Sequence, residues 1–595
     1  MIAMERLADS NKNEIIHQLS QLRNEINHCL MDFSKSHHID IADASKQNLC
    51  AFLGLQKPLN PVLHSNLIKE GFSSIQQMSP HILYSLNKII SHLSSNDQQY
   101  ENYIDFNNAM FLKKQRNKEL LGKSEEEPIS IMVTLDKTML ERPEIFKELL
   151  RAGMTIARIN LAHDYSVWKQ LVENIRAAEK ELDDVKCKIY VDLPGPKIRV
   201  FDFRKIQAPL VIHTENNSPI GYLVSDQGIV PSIRHAFKIE LNIKEFKDIT
   251  PGQIIPFTDV KGRKRHFTVL EMIDARCLKV ELNKTAILNE ETTIKLSQDH
   301  HSKVTNLLER QPTIKVKKGD ILRIYKSHGY HGKPKNNKQP ASIGITIPEA
   351  LKNVKPKDRV FFDDGNICAA VLNVTDTYLD IKITLTRKER EIIKPEKGVN
   401  FPDSQVYLNV PAITETDISI LPEIAPFVDL VGISFIHQPN DIRIVKRYLD
   451  QYTERNIGVI AKIETKHALL SLSKIILEGL NLDLFGVMIA RGDLAIEIGY
   501  EQLANVQEGI LELCRAAHVP VIWATSVLNH MNKKGIPLRA EITDAFMGLR
   551  ADCIMMNKGP HISSSIKFLQ QLDELKEDPM LNIRNSIIPF AQYGF

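Results

Sequence analysis

Apolar positions change their spacing along the chain. Over the first 125 residues they recur every three or four positions, as in Ile15, Ile16, Leu19, Leu22, Ile26, Cys29, Leu30 and Phe33. That period belongs to an amphipathic helix. Similar stripes at 43–53, 79–93 and 103–121, separated by turn formers such as Lys57-Pro58-Leu59-Asn60-Pro61, predict an all-α domain over 1–125. A charged linker follows at 122–128. From Ile129 the pattern becomes short β-rich apolar runs alternating with helical stretches, which marks parallel βα units. The runs fall at 129–134, 155–160, 188–193, 430–435, 458–464, 486–493, 520–525 and 552–557. Eight such runs close a (β/α)8 TIM barrel, so the expected fold class is α/β.

Between the third and fourth runs lies an interruption of roughly 200 residues, too long for an ordinary loop. Its alternating runs predict an inserted β-rich lid domain. The insertion also repeats itself. Thr250-Pro-Gly-Gln-Ile-Ile-Pro-Phe-Thr-Asp259 followed by Leu278-Lys-Val-Glu-Leu282 parallels Lys355-Pro-Lys-Asp-Arg-Val-Phe-Phe-Asp-Asp364 followed by Leu379-Asp-Ile-Lys-Ile383. Either two related modules or a chance likeness of hairpins accounts for this. The expected boundaries are 1–125 for the helical domain, 128–200 and 398–576 for the barrel, 201–397 for the lid and 577–595 for a tail.

Composition narrows the function classes. A chain of 595 residues, 43% hydrophobic and 25% charged, with a net charge of +3, does not call for nucleic acid or an anionic membrane as partner. No apolar run reaches spanning length, and Met1-Ile-Ala-Met-Glu-Arg has no signal-peptide core. Seven cysteines without a C-x-x-C pair read as reduced thiols, so a cytoplasmic location is expected.

Active sites of βα barrels lie at the C-terminal strand ends. Here those ends hold Arg158, Asn160, Asp192, Ser434, Lys462, Glu464, Asp493, Thr525, Asn557 and Lys558. Lys462 and Glu464, two apart on a strand, share a face. Gly492 lets backbone approach something small. A lysine and two carboxylates at neighbouring strand mouths read either as salt bridges or as a divalent-cation site beside a phosphorylated or carboxylated ligand. So many polar groups at one register favour the second reading. His37-His38, lacking further ligands at suitable spacing, reads as a solvated loop. The basic stretch 315–338, with Tyr325 and Tyr330 interleaved, reads as another or as a contact for an anionic ligand.

These residues resemble those of the pyruvate kinase family. The matching segments are Gly153-Met-Thr-Ile-Ala-Arg-Ile-Asn160, Asp192-Leu-Pro-Gly-Pro-Lys-Ile-Arg199, Phe362-Asp-Asp-Gly365 and Lys397-Gly-Val-Asn-Phe-Pro402. Ala461-Lys-Ile-Glu464, Met488-Ile-Ala-Arg-Gly-Asp493, Ile522-Trp-Ala-Thr525 and Arg539-Ala-Glu541 complete a series running from about 128 to 576. The resemblance implies phosphoryl transfer from phosphoenolpyruvate to ADP, giving pyruvate and ATP. Arg158 and Lys462 would hold the moving phosphoryl group. Glu464 and Asp493 would hold Mg²⁺ or Mn²⁺. Backbone amides of Arg491, Gly492 and Asp493 would bind the substrate carboxylate, and Thr525 would sit by the enolate carbon. Arg199 and Asp364 would act when the lid closes. Asn160, His163, Lys397 and Asp364 would face the nucleotide, with Glu541 supporting metal-bound water.

Departures from the family cluster around that centre. Of its monovalent-cation ligands Asn160 and Asp192 persist, while the others are Ala162 and Leu193. Lys197 stands where potassium-dependent members have Glu, so a fixed ammonium is expected to replace potassium. The loop after the first strand reads Asp136-Lys-Thr-Met, and that after the eighth Asn557-Lys-Gly-Pro-His561; both differ from the family on its nucleotide side, where Trp168 aligns with a Tyr. The family's C-terminal regulatory domain is not expected, which favours a dimer over a tetramer for any homo-oligomer. Two other readings stay open: a metal-dependent enolate enzyme of aldolase or lyase type acting on a keto acid, and a catalytically reduced binding protein.

Overall fold

The computed structural model describes residues 2–575 apart from 38–39, 56–62, 64–66, 68–74, 95–101, 123–128, 183–184, 215–218, 226–235, 298–299, 306, 308, 337 and 405–409. The turn expected at 57–61, His38, the linker beyond Gly122 and the tail at 577–595 lie outside the described residues. Eight parallel strands close a barrel in chain order. They are β1 (Ser130–Leu135), β2 (Ile156–Asn160), β3 (Lys188–Asp192), β4 (Leu430–Ile433), β5 (Gly458–Ile463), β6 (Phe485–Ala490), β7 (Val521–Val527) and β8 (Cys553–Met556). Each is apolar on both faces because helices cover the outside and the barrel's own core fills the inside.

The fourth strand stops short of its expected run at Ile433 and the seventh extends to Val527, but the boundary that bears on the site is that of the sixth. The sixth run stops as a strand at Ala490, and Arg491 opens a helix, α5 (Arg491–Ile498). Asp493 lies in its first turn, where a carboxylate suits the helix N-terminus. Gly492 lets that turn press on β7: a Cβ there would meet the Thr525 methyl at 2.9 Å.

The N-terminal region is helical, with α1 (Ile2–His37), α2 (Ala44–Leu55), a 3₁₀ turn (Ile75–His81), α3 (Ile82–Ser94) and α4 (Phe106–Leu121). Ile15, Leu19, Ile26 and Leu30 are the buried stripe of α1. The core of these helices is continuous with that of the barrel. Leu120 of α4 seals the N-terminal mouth of the barrel, where Gly458 and Gly486 make room for it; a Cβ at either would lie 2.8 or 2.7 Å from a Leu120 methyl. Lys113 donates to the Val519 carbonyl at 2.8 Å and pairs with Asp552 at 2.7 Å. Arg116 donates to the carbonyls of Ala517 and His518.

The insertion holds two β cores. One is a seven-stranded closed barrel spanning 220–305, packed around residues such as Ile255, Phe257, Phe267 and Val280. It joins the rest through a two-stranded neck, Ile206–Gln207 against Glu309–Arg310. The other is a six-stranded sheet around Leu322, Val360, Phe362 and Ile381, adjoining the TIM barrel through bridges such as Arg199 to Gly398.

Both cores contain the repeated segment as a three-stranded antiparallel meander. Gly252 and Lys357 take φ of 85° and 80° at equivalent points. Their amides donate to Val269 O and Val371 O, each at 2.8 Å. Proline at the second turn position and positive φ at the third belong to a type II turn. In the second copy Lys357 bears the strain that glycine relieves in the first.

Candidate active site

The polar strand ends meet above the barrel core in a cleft of about 140 Å³. Its walls include Arg158, Asn160, His163, Lys197, Arg199, Lys462, Glu464, Asp493 and Thr525. Parallel register produces this convergence, since Thr134 lies beside Arg158, and Asn160 and Gly432 lie on either side of Asp192.

A buried charge array forms the floor. The Arg158 Nε donates to Asp192 Oδ2 at 2.7 Å, its second terminal nitrogen pairs with the same oxygen, and Nη1 donates to Thr134 Oγ1 at 2.8 Å. Lys462 Nζ reaches Asp192 Oδ1 at 3.3 Å, Glu464 Oε1 at 2.9 Å and Ser434 Oγ at 2.8 Å. Burial disfavours the Lys462 charge, but Asp192 and Glu464 outweigh it and hold the ammonium above its usual pKa. Burial likewise opposes the Asp192 charge, and Arg158 and Lys462 together hold its carboxyl below the usual range. Both cations and Asp192 are therefore ionised without relying on water.

Glu464 behaves differently. Burial first, and the Asp493 charge against the pull of Lys462, push its carboxyl up. Its Oε2 accepts the Phe435 amide at 2.6 Å. Asp493 lies across both oxygens from Lys197 Nζ, at 2.9 and 3.1 Å. Two mutually repelling carboxylates facing a cleft lined by Lys and Arg fit a hard dication completed by ligand oxygens, because Mg²⁺ often takes only one or two protein carboxylates.

Other expected residues fall unevenly. Asn160 is spent as a helix cap, its Oδ1 accepting the Ala162 amide at 3.1 Å. Arg491 turns its side chain away from the cleft. It donates to Ala524 O and Thr525 O at 2.8 and 2.7 Å, pairs with Asp544 and covers the Trp523 ring, leaving only its backbone for a ligand. That clamp accompanies φ of 77° at Thr525 and 63° at Ser526. A β-branched residue there is strained, and such strain collects where a side chain must be aimed. Lys397 pairs with Asp363 of the lid. Burial and the negative charges of Asp493 and Asp363 raise the Asp364 carboxyl, while Lys197 opposes them. Arg199 lines the cleft and donates to Glu396 O at 3.0 Å. Glu541 accepts the His530 amide at 2.5 Å and caps its own helix. Asp136 and Lys558, from the two rebuilt loops, pair with each other beyond the adjacent ends of β1 and β8.

The profile of the pyruvate kinase barrel domain matches residues 127–310 and 300–560. This chain belongs to the pyruvate kinase family. Relatives include the pyruvate kinases of Thermotoga maritima, 32% identical over 238 residues, and Hypocrea jecorina, 34% identical over 229. That of Geobacillus stearothermophilus is 30% identical over 240 residues. These matches take in 39%, 37% and 39% of this chain and 48%, 40% and 39% of the relatives, so the chain matches less than half the length of each. No helix among the described residues is long and apolar enough to cross a membrane.

Sequence reading left three participants unassigned. Ser434 stood at a strand end without a role, and it accepts from Lys462. Thr134 was legible only through its register with Arg158. Tyr190 reads as one more apolar strand residue, although its alternation with Asp192 places both on one face.

Proposed function

We propose that this protein transfers the phosphoryl group of phosphoenolpyruvate to ADP. The observation that carries the reading is the Arg158–Asp192–Lys462–Glu464 array. It fixes two cations in a cleft that is also lined by Asp493 and the strained Thr525. Phosphoryl transfer needs positioning and neutralisation of spreading charge more than covalent chemistry. Arg158 and Lys462 supply that neutralisation pre-organised, at no reorganisation cost during reaction. An aldolase-type reaction has no use for the second anion-holding cation.

Glu464 and Asp493 are the residues that would hold Mg²⁺ or Mn²⁺. The ion supplies charge neutralisation for the substrate's carboxylate and enolate oxygens. Amides at the start of α5 point where a substrate carboxylate gains from the helix N-terminus. Thr525 would direct a proton to the enolate carbon, and Arg199 and Asp364 would complete the site when the lid domain approaches.

Lys197 supports a reaction that does not require potassium, since its ammonium already supplies a monovalent positive charge at the cleft. Burial disfavours that charge, but Asp493 and Asp364 hold it above the ordinary lysine range. The nucleotide, on this reading, sits beside His163 and the Asp136–Lys558 pair. The test is pyruvate formation from phosphoenolpyruvate and ADP with Mg²⁺, with and without potassium. Activity unaffected by potassium is expected; strong potassium activation contradicts the role of Lys197, and no activity with any nucleoside diphosphate contradicts the reaction.

A further inference from the structure

Tyr190 lies wholly buried in the barrel, on the same face of β3 as Asp192. Its hydroxyl donates a short hydrogen bond to Asp192 Oδ1. The hydroxyl fits only because the neighbouring strand carries Gly432. A Cβ at Gly432 would lie 1.9 Å from the Tyr190 hydroxyl, 2.6 Å from its Cζ and 2.7 Å from Asp192 Oδ1. Tyrosine and glycine on adjacent strands are thus matched to deliver one donor to one carboxylate oxygen.

That carboxylate bridges the two cations of the cleft. Oδ2 takes both Arg158 nitrogens, while Oδ1 is shared by Lys462 at 3.3 Å and the Tyr190 hydroxyl. The lysine contact is long, so without the hydroxyl no other group among the described residues holds Oδ1 closely, and the carboxylate can turn about its last torsion. Turning it moves the Arg158 fork it anchors, and an ångström at the reacting group is enough to slow a reaction.

We propose that Tyr190 is a positioning residue for the phosphoryl-transfer reaction, acting through Asp192 to set Arg158 and Lys462, with Gly432 as its required partner. The inference rests on the proposed function. Its test compares the wild type with Tyr190→Phe, Gly432→Ala, Asp192→Asn and the Tyr190→Phe/Asp192→Asn double variant. Tyr190→Phe keeps the ring and should lower kcat about 10- to 100-fold, the scale of a hydrogen bond to a charged group. KM for phosphoenolpyruvate and the melting temperature should change little. Gly432→Ala should lower kcat as well. The double variant should be no slower than Asp192→Asn alone, because the hydroxyl acts only through that carboxylate.

An active wild type with an unaltered kcat in Tyr190→Phe overturns the role, as does a double variant whose losses multiply. A kcat loss matched by a large fall in melting temperature also overturns it, reducing Tyr190 to a core residue. A wild type that makes no pyruvate overturns the reaction itself, a separate outcome.

Discussion

Acidification should loosen the N-terminal helices from the barrel through His518, which precedes β7. The side chain is fully buried between α2, the 3₁₀ turn and the barrel. Facing a carbonyl, Nε2 must donate to Pro80 O at 2.9 Å, which leaves Nδ1 to accept from Ser45 Oγ at 2.9 Å. That arrangement needs a neutral ring. Burial above all, then Arg116 and Lys113, pull its pKa from 6.5 to about 4, against the Pro80 hydrogen bond and Asp43.

A folded pKa below the unfolded one means that the unfolded state binds more protons between these values. The contribution is therefore complete above pH 6.5 and lost as pH falls towards 4. From the two values, the loss from pH 8 to pH 5 is about 2 kcal/mol, or about 30-fold in the opening equilibrium. Hydrogen exchange along Ala44–Leu55, corrected for intrinsic rates, measures this opening in wild type and in His518→Asn. The variant starts less protected at pH 8, yet its loss on acidification should be smaller by about that amount. Parallel losses in the two proteins would refute the reasoning, since every other titrating group is common to both.

Glu497 titrates with the opposite sign. It is 5% exposed, and burial, aided by Asp493, raises its pKa from 4.5 to about 7. The folded state then binds the extra proton, so stability falls as pH rises from 4.5 to 7; Glu497→Gln should flatten that slope and raise stability at pH 8 by about 3 kcal/mol, read as the melting temperature at pH 5 and pH 8. Lys197→Met removes the partner of Asp493, and pyruvate formation should then become dependent on added potassium or ammonium, which a potassium titration of the variant checks. Leu120→Ala should open a cavity at the base of the barrel costing about 2–5 kcal/mol, visible in denaturant unfolding, because rigid strand backbone at Gly458 and Gly486 cannot collapse into it.

How much was legible from the chain follows from periodicity. The eight apolar runs were readable because strands buried on both faces carry almost no polar residues until they reach the mouth. Arg158, Lys462 and Glu464 stood out for the same reason, as charges where charge is costly. The start of α5 was missed because Arg491 directly follows the apolar run, where a charged residue is expected at a strand mouth, and no pattern separates a strand end from a helix start there. Pairings between distant positions left no local signal. Lys197 on Asp493 and Asp136 with Lys558 depend on closure of the barrel. Tyr190 was hidden in plain hydrophobicity, and Gly432 looked like any strand glycine. Arg491 shows the converse: its position fitted a ligand contact, while its guanidinium serves the strained backbone at Thr525.

The central claim is that Lys462 neutralises the phosphoryl group in flight. Its most direct test is the initial rate of pyruvate formation by wild type and Lys462→Met, with Mg²⁺, phosphoenolpyruvate and ADP. Removal of a pre-organised cation of this kind should cost at least about 100- to 1000-fold in kcat. An active wild type whose rate survives the substitution would contradict the account.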